Sequence, residues 1–351
     1  MKLVFVMAGA AHGGAETFSM DLARGLHRKG IEILVITRND PDRIADLKQN
    51  GIPHETLPFG TFLDFKTRPK LNKIIQRFNP DIVQTFMGRA SSYYTPGPRK
   101  HIGWFGGYYD LKRFKDCDAY VGVTYDIAAH IHNQGAPLEK THTIHTFADM
   151  DLDSPALKRA DYDTPDDAKL FCALARLHWK KGLDTLLDAF AKIEDPKAYL
   201  WIAGSGEDEQ KLTQQMHHLG LADRVRFIGW QNDRAAILNA SDYCAFPSRY
   251  EPFGTVMVEA WATKTPIIAA ASQGPAAYMK NEENGLLIDI DDTDGLTTAM
   301  NRLLTEPDLC EKIIQGGLQT YQETFTEDAV IAEYMDLYNS LLDAGNARKT
   351  A

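Results

Sequence analysis

Two glutamates, Glu251 and Glu259, stand eight residues apart in RYEPFGTVMVEAWA. Thr255 is a plausible helix start. A helix running on through Ala262 would hold Glu259 about a turn and a half inside, with Glu251 in the loop before it. The two carboxylates would then lie within ~12 Å along the axis. Such a pair repels phosphate but accepts bidentate hydrogen bonds from neighbouring hydroxyls. Between them the N–H groups of Phe253, Gly254 and Thr255 would open the helix, and helix N-termini hold anions. The spacing therefore suits a ligand with a ribose diol at one carboxylate, sugar hydroxyls at the other and a diphosphate between. The plainer alternative is a Glu259 that bonds within the core and a solvated Glu251.

Three further segments carry matching chemistry. In ARLHWKKG, Arg176 and Lys181 flank the end of an apolar run. A guanidinium and an ammonium aimed at one point suit a diphosphate, and the alternative is two solvated surface cations. Gly204-Ser205-Gly206 reads as a strand–turn–helix junction offering another helix N-terminus, or simply as a turn. Gly9-Ala-Ala-His12-Gly13-Gly14-Ala-Glu16 follows the first apolar run. Gly13 and Gly14 would let a ligand approach the backbone, or would only permit tight packing. The spacing differs from GxGxxG, and Thr37-Arg38-Asn39 ends the second run where a dinucleotide site needs an acid, which argues against nicotinamide.

These segments need strand ends to hold them. The runs 2–7, 32–37, 81–86, 119–124 and 142–147 are nearly continuous in apolar residues, as strands buried on both faces must be. Residues 14–29 read as a helix between the first two. Residues 149–169, polar and rich in Asp and Pro, read as a linker. A second series of runs follows at 170–175, 198–204, 224–229, 243–247 and 266–271, with helical stretches between, and helical spacing marks the last ~25 residues. The expected architecture is α/β, two Rossmann-like doubly wound domains facing across a cleft. One covers 1–155, completed by a C-terminal helix at 326–351, and the other covers 165–325.

Composition sets bounds on partners. The 351 residues are 44% hydrophobic and 25% charged, as in an ordinary globular protein. No apolar run reaches membrane-spanning length, and the opening MKLVFVMAGA reads as a strand rather than a leader. Cys117, Cys172, Cys244 and Cys310 are scattered singly, which points to reduced core thiols and a cytoplasmic setting. Of 38 Lys+Arg and 48 Asp+Glu, 19 and 15 fall in residues 1–150, leaving 19 and 33 for the rest. An acidic chain is a poor nucleic-acid binder. Its mildly basic first part could still face an anionic membrane, and in residues 66–78 Lys70, Lys73 and Arg77 would lie outside, over Leu71, Ile74, Ile75 and Phe78. A solvated helix face is the simpler reading of that pattern.

ARLHWKKG, IAGSGEDE and EPFGTVMVEAWA, in that order, resemble the donor-binding domain of glycosyltransferase family 4, of the GT-B fold. The resemblance spans essentially the whole chain and extends to bacterial lipopolysaccharide and cell-envelope members. It implies that Glu251 contacts the donor sugar and Glu259 the ribose. Arg176 and Lys181 would hold the diphosphate, and Gly13-Gly14 would form the phosphate-approaching loop of the acceptor-side domain. It also implies retaining transfer from a UDP- or GDP-sugar, UDP the favoured base, to a glycan or lipid-linked acceptor. No metal or other cofactor is expected. The enzyme would be cytoplasmic, touching the inner membrane face peripherally.

Two departures stand out. A histidine common in the family after the fourth strand is replaced at Phe105 or Gly106, and His101 lies four or five residues too early. In SQGPAAYMKNEENGLL, Ala276 and Ala277 replace a loop-supporting glutamate. Trp104, Phe105, Tyr108 and Tyr109 read either as a sugar-stacking platform or as core. The competing functions are a UDP-sugar epimerase and a catalytically weak nucleotide-sugar binding protein.

Overall fold

The computed structural model describes residues 1–9, 13–60, 64–147 and 149–347; residues 10–12 of the first glycine-rich loop and the last four of the expected C-terminal helix lie outside them. The chain divides into two compact units, Met1–Ala148 with Thr326–Ala351, and Asp149–Phe325.

Among the described residues, the first unit has strands β1 (Lys2–Met7), β2 (Glu32–Thr37), β3 (His54–Thr56), β4 (Ile82–Phe86), β5 (Lys100–Phe105), β6 (Ala119–Gly122) and β7 (Thr141–Thr143). They form one parallel sheet in the order β3-β2-β1-β4-β5-β6-β7. β1 is buried along Leu3–Met7, because helices cover both faces. Two readings change here. KHIGWF, read as the segment lacking a histidine and as a run of aromatics, is the interior strand β5, between β4 and β6. The run 142–147 contributes just the short edge strand β7, and Ile144–Phe147 is non-strand chain.

The second unit repeats the design with β8 (Lys169–Leu174), β9 (Ala198–Ala203), β10 (Val225–Gly229), β11 (Tyr243–Phe246), β12 (Ile267–Ala270) and β13 (Leu286–Ile288). Their order is β10-β9-β8-β11-β12-β13, again parallel. Phe171, Leu186, Phe190, Leu200 and Ile268 fill its core. The polar stretch expected to be a linker at 149–169 belongs to this unit. Leu157 N–H donates to Ala236 O at 3.0 Å, Arg159 Nη2 reaches Ala240 O at 2.8 Å, and Trp201 Nε1 donates to Thr164 Oγ1 at 2.9 Å. Its polarity suggested a linker, but backbone and polar side-chain groups fasten it to this unit.

After Phe325 the chain returns to the first unit as the helix Glu327–Ala347. Tyr334 and Tyr338 are fully buried there, and Tyr338 Oη donates to Gln84 Oε1 on β4 at 2.7 Å. Arg28 pairs with Glu327 and Lys29 with Asp328 at the rim. Exposed pairs of this kind contribute little, so the two buried tyrosines hold the helix.

Candidate active site

The second sheet reverses its order of construction between β8 and β11, and ligands of doubly wound sheets bind at the carboxyl ends of strands at such a point. The segments after β8 and β11 meet there. After β8, His178 caps a single helical turn, Trp179–Lys181, by accepting from Lys180 N–H at 3.1 Å. Gly182 ends that turn at φ +63, and a Cβ there would sit 2.2 Å from Pro247 O. Only glycine lets the two segments approach so closely.

Backbone bonds then fix one segment on the other. The N–H groups of Arg249 and Tyr250 both donate to Lys180 O, at 2.8 and 3.3 Å. The result is an ion pair between Lys181 Nζ and Glu251 Oε2 at 2.5 Å, with both side chains largely buried. Gly274 N–H supports Glu251 from the other side, donating to its carbonyl at 2.8 Å. Ala276 and Ala277 are exposed, and their methyl side chains offer no hydrogen bond to the loop. Arg176 is exposed and has no ion pair or hydrogen bond among the described residues.

The helix beyond Glu251 runs over Thr255–Ala262, as its sequence predicts, with Gly254 at φ +99 before it. Met257 N–H turns back to Gly254 O at 2.9 Å, while the amides ahead of it have no intrahelical acceptor by construction. Phe253 contributes its side chain to packing, against Tyr278 and Phe325. Glu259 is completely buried in mid-helix. Arg234 Nη1 approaches its Oε1 to 2.5 Å, yet neither carboxylate oxygen accepts an aligned hydrogen bond among the described residues. Burial pushes the Glu259 pKa up; Arg234 opposes this and the charge of Glu251 adds to it. A buried carboxylate so poorly satisfied costs the fold several kcal/mol, and that pattern marks functional sites.

The glycines after β9 behave differently from the expectation. Gly204 N–H donates to Gly229 O at 2.8 Å, and the following helix begins only at Glu209. A Cβ would meet Ala175 O at 1.9 Å from Gly204 and Leu177 O at 2.3 Å from Gly206. These residues therefore pack the β8 and β9 loops together. The Gly204 amide is spent inside the fold, and no helix N-terminus opens at the turn.

Three comparisons with known proteins bear on this chain. Residues 156–320 match the family model for glycosyl transferases group 1, and residues 12–152 that for glycosyltransferase family 4. The lipopolysaccharide core biosynthesis glycosyltransferase LpsD of Rhizobium meliloti is 32% identical over 97% of this chain and 98% of its own length. The chain belongs to glycosyltransferase family 4. LpsE, of the same description and organism, is also 32% identical, over 93% of this chain and 96% of its own. Among solved structures, a glycosyltransferase of Rickettsia africae superposes with a TM-score of 0.85 at 19% identity, covering 97% of this chain and 98% of that one. Anabaena HepE in complex with UDP does so with 0.82 at 21%, covering 97% and 100%. The glycosyltransferase thus has the GT-B fold, with two Rossmann-like units.

In its first unit, Gly13 is extended at φ 167 and precedes the helix Gly14–Arg28. A Cβ on Gly9 or Gly13 would lie 2.0 or 2.4 Å from a carboxylate oxygen of buried Glu16. Both glycines leave room for that side chain, while Gly14 faces open space. At the place of the missing histidine, Phe105 is buried and stacked on Phe114 at 3.7 Å. His101 is buried too. It hydrogen-bonds Thr85 Oγ1 at 3.0 Å, and burial lowers its pKa to about 4. It is a neutral core residue. Trp104 is likewise core, whereas Tyr108 and Tyr109 are half-buried, with Tyr108 Oη donating to Asp126.

Two residues of the site escaped the sequence reading. Arg234 opens the helix Arg234–Ala240, capped by Asp233, and reaches Glu259. Arg249 grips Asp184 through two nitrogens at 2.7 and 2.9 Å, Asp291 at 2.6 Å and Trp179 O at 2.5 Å. The capping aspartate was the only local signal for the first, and nothing local marks the second. Among the described residues no three His, Cys, Asp or Glu side chains converge as a metal site, and no helix is long and apolar enough to cross a membrane. The cysteines are free, with Cys117, Cys172 and Cys244 buried.

Proposed function

We propose that this glycosyltransferase moves a hexose from a UDP-sugar to a hydroxyl of a glycan or lipid-linked acceptor, with retention and without a metal, during lipopolysaccharide core assembly. The observation that carries the donor assignment is the buried, poorly satisfied Glu259 one helix away from the Lys181–Glu251 pair. In this reading the ribose diol donates to Glu259. Arg176, Lys181 and the amides of Gly254 and Thr255 neutralise the diphosphate, and Glu251 takes hydroxyls of the hexose. Gly13 and Gly14 would lie near the reacting groups on the acceptor side. Support for the base comes from HepE, solved with UDP and with UDP-glucose. Support for the acceptor comes from the names of LpsD and LpsE.

The chemistry is same-face substitution. The bond from C1 of the hexose to the leaving phosphate oxygen breaks while C1 bonds to the acceptor oxygen. The acceptor proton passes to the departing phosphate. The protein stabilises charge growing on the diphosphate and orients the two substrates. Phe105 in place of a histidine favours one second reading, a nucleotide-sugar binder of low activity. The test is to supply UDP-sugars singly with lipopolysaccharide from a strain deleted for this chain, then assign the new linkage by NMR. An axially retained linkage supports transfer. Tight UDP binding with neither transfer nor hydrolysis overturns it. We place the enzyme in the cytoplasm, at the inner face of the membrane.

A further inference from the structure

The helix Thr67–Phe78 presents one stripe of cations. Lys66, Lys70, Lys73 and Arg77 recur at four- and three-residue steps, which places them on one face over roughly 16 Å. The opposite face is fixed: Leu71, Ile74 and Ile75 are core, and Arg68 turns away to donate to Ser92 O at 2.7 Å. Of the stripe, Arg77 is paired with Glu55. The ammonium groups of Lys66, Lys70 and Lys73 have no ion-pair or hydrogen-bond partner among the described residues.

Directly before the stripe, Phe65 is 76% exposed, the most exposed of the large hydrophobic side chains among the described residues. Nothing local forces it outward by strain, because Asp64 anchors the turn beneath it. The Asp64 carboxylate accepts from the N–H groups of Gly60, Lys66 and Thr67 and from Thr67 Oγ1. Those bonds, led by the one from Thr67 Oγ1, hold its pKa down to about 2. Of the two carboxylates beside the stripe, Glu55 is taken by Arg77 and Asp64 is spent on the turn. An exposed aromatic ring beside unpaired lysines is the signature of interfacial insertion, in which the ring enters the headgroup region and cations meet anionic lipid. The first unit as a whole is close to neutral, with 21 Lys+Arg against 19 Asp+Glu in a chain that is net −10, so the unpaired lysines stand out as a local positive patch.

We infer that Phe65 with Lys66, Lys70 and Lys73 forms a docking surface for an anionic phospholipid bilayer. This deepens the membrane-facing part of the proposed function by naming its residues. The test is co-sedimentation of the full chain with vesicles of phosphatidylcholine alone and of phosphatidylcholine with phosphatidylglycerol, across a salt series. Wild type is expected to bind the anionic vesicles only, and less as salt rises. K66Q/K70Q/K73Q weakens partitioning roughly 100-fold at low salt. Phe65→Ser weakens it about tenfold and leaves the salt dependence in place. Circular dichroism and thermal melting should match wild type, since all four side chains are exposed. Binding to zwitterionic vesicles as strongly as to anionic ones, or a triple variant that binds like wild type, overturns the assignment. Transfer to a delipidated core oligosaccharide, measured in parallel, stays unchanged in these variants. Loss of that transfer in wild type would count against the proposed function and leave the docking result standing.

Discussion

Replacing Lys181 by Met separates what this residue does for the fold from what it does for the reaction. In the free protein its ammonium neutralises Glu251, with side chains 25% and 16% exposed. Removing one partner of a fully buried pair costs about 3–5 kcal/mol, and of an exposed pair about 0–1. This pair lies between, so the folded state should lose about 1–2 kcal/mol, or roughly 2–4 °C in melting temperature. Catalysis should lose more. Withdrawing one preorganised group from charge that develops in the transition state costs about 3–4 kcal/mol, roughly 10²–10³ in kcat. The double variant K181M/E251Q tells the two apart. It leaves no buried charge unpaired, so its melting temperature recovers, but its turnover stays low. Kinetics on a UDP-sugar with the natural acceptor, alongside calorimetry, would measure both. Near-normal turnover by K181M would refute the diphosphate assignment.

Other substitutions probe the surroundings. Arg249→Met should cost about 2–3 kcal/mol of stability and lower kcat more than it weakens UDP binding, because the residue grips Asp184 and Asp291 rather than ligand. Arg249→Lys, lacking the planar fork, should recover only part of either. Glu259→Gln should raise stability at neutral pH by on the order of 1 kcal/mol, the scale of single stabilising substitutions. The sign follows from its raised folded-state pKa: burial of the charge penalises the fold above the unfolded pKa, and the gain from Gln fades as acid protonates Glu259. His101, depressed to about 4, runs the other way. The unfolded state binds its proton first, so stability should fall by on the order of 3 kcal/mol from pH 6.5 to 4, a slope that His101→Asn removes without changing kcat at pH 7.5.

Much of the fold could be read from the chain because buried parallel strands write themselves as apolar runs. KLVFVM and EILVIT match β1 and β2 residue for residue, and the helix at Thr255–Ala262 matches as well. HTIHTF misled because apolar residues also fill the chain after a short edge strand. KHIGWF was missed because Lys100, His101 and Gly103 interrupt its pattern. The fold buries His101 through Thr85 and Cys117, contacts sixteen residues away on neighbouring elements. In the site, Glu251, Lys181 and Glu259 were legible through short local spacing. Arg234 and Arg249 were not, because their partners lie 25 and 65 residues away and only the folded sheet brings them together. Gly204 shows the limit of motif reading: its close approach to Ala175 O is a packing need that the local pattern did not reveal.

The carboxylate pair remains the centre of the account, and calorimetric titration of UDP into wild type and Glu259→Gln tests it most directly. Loss of a charged acceptor from the ribose should weaken UDP binding by about 1.5–3 kcal/mol, roughly 10- to 150-fold. The weakening should appear in a variant that melts no lower than wild type. UDP affinity unchanged by Glu259→Gln would contradict the placement of the ribose, and with it the reading of the donor site.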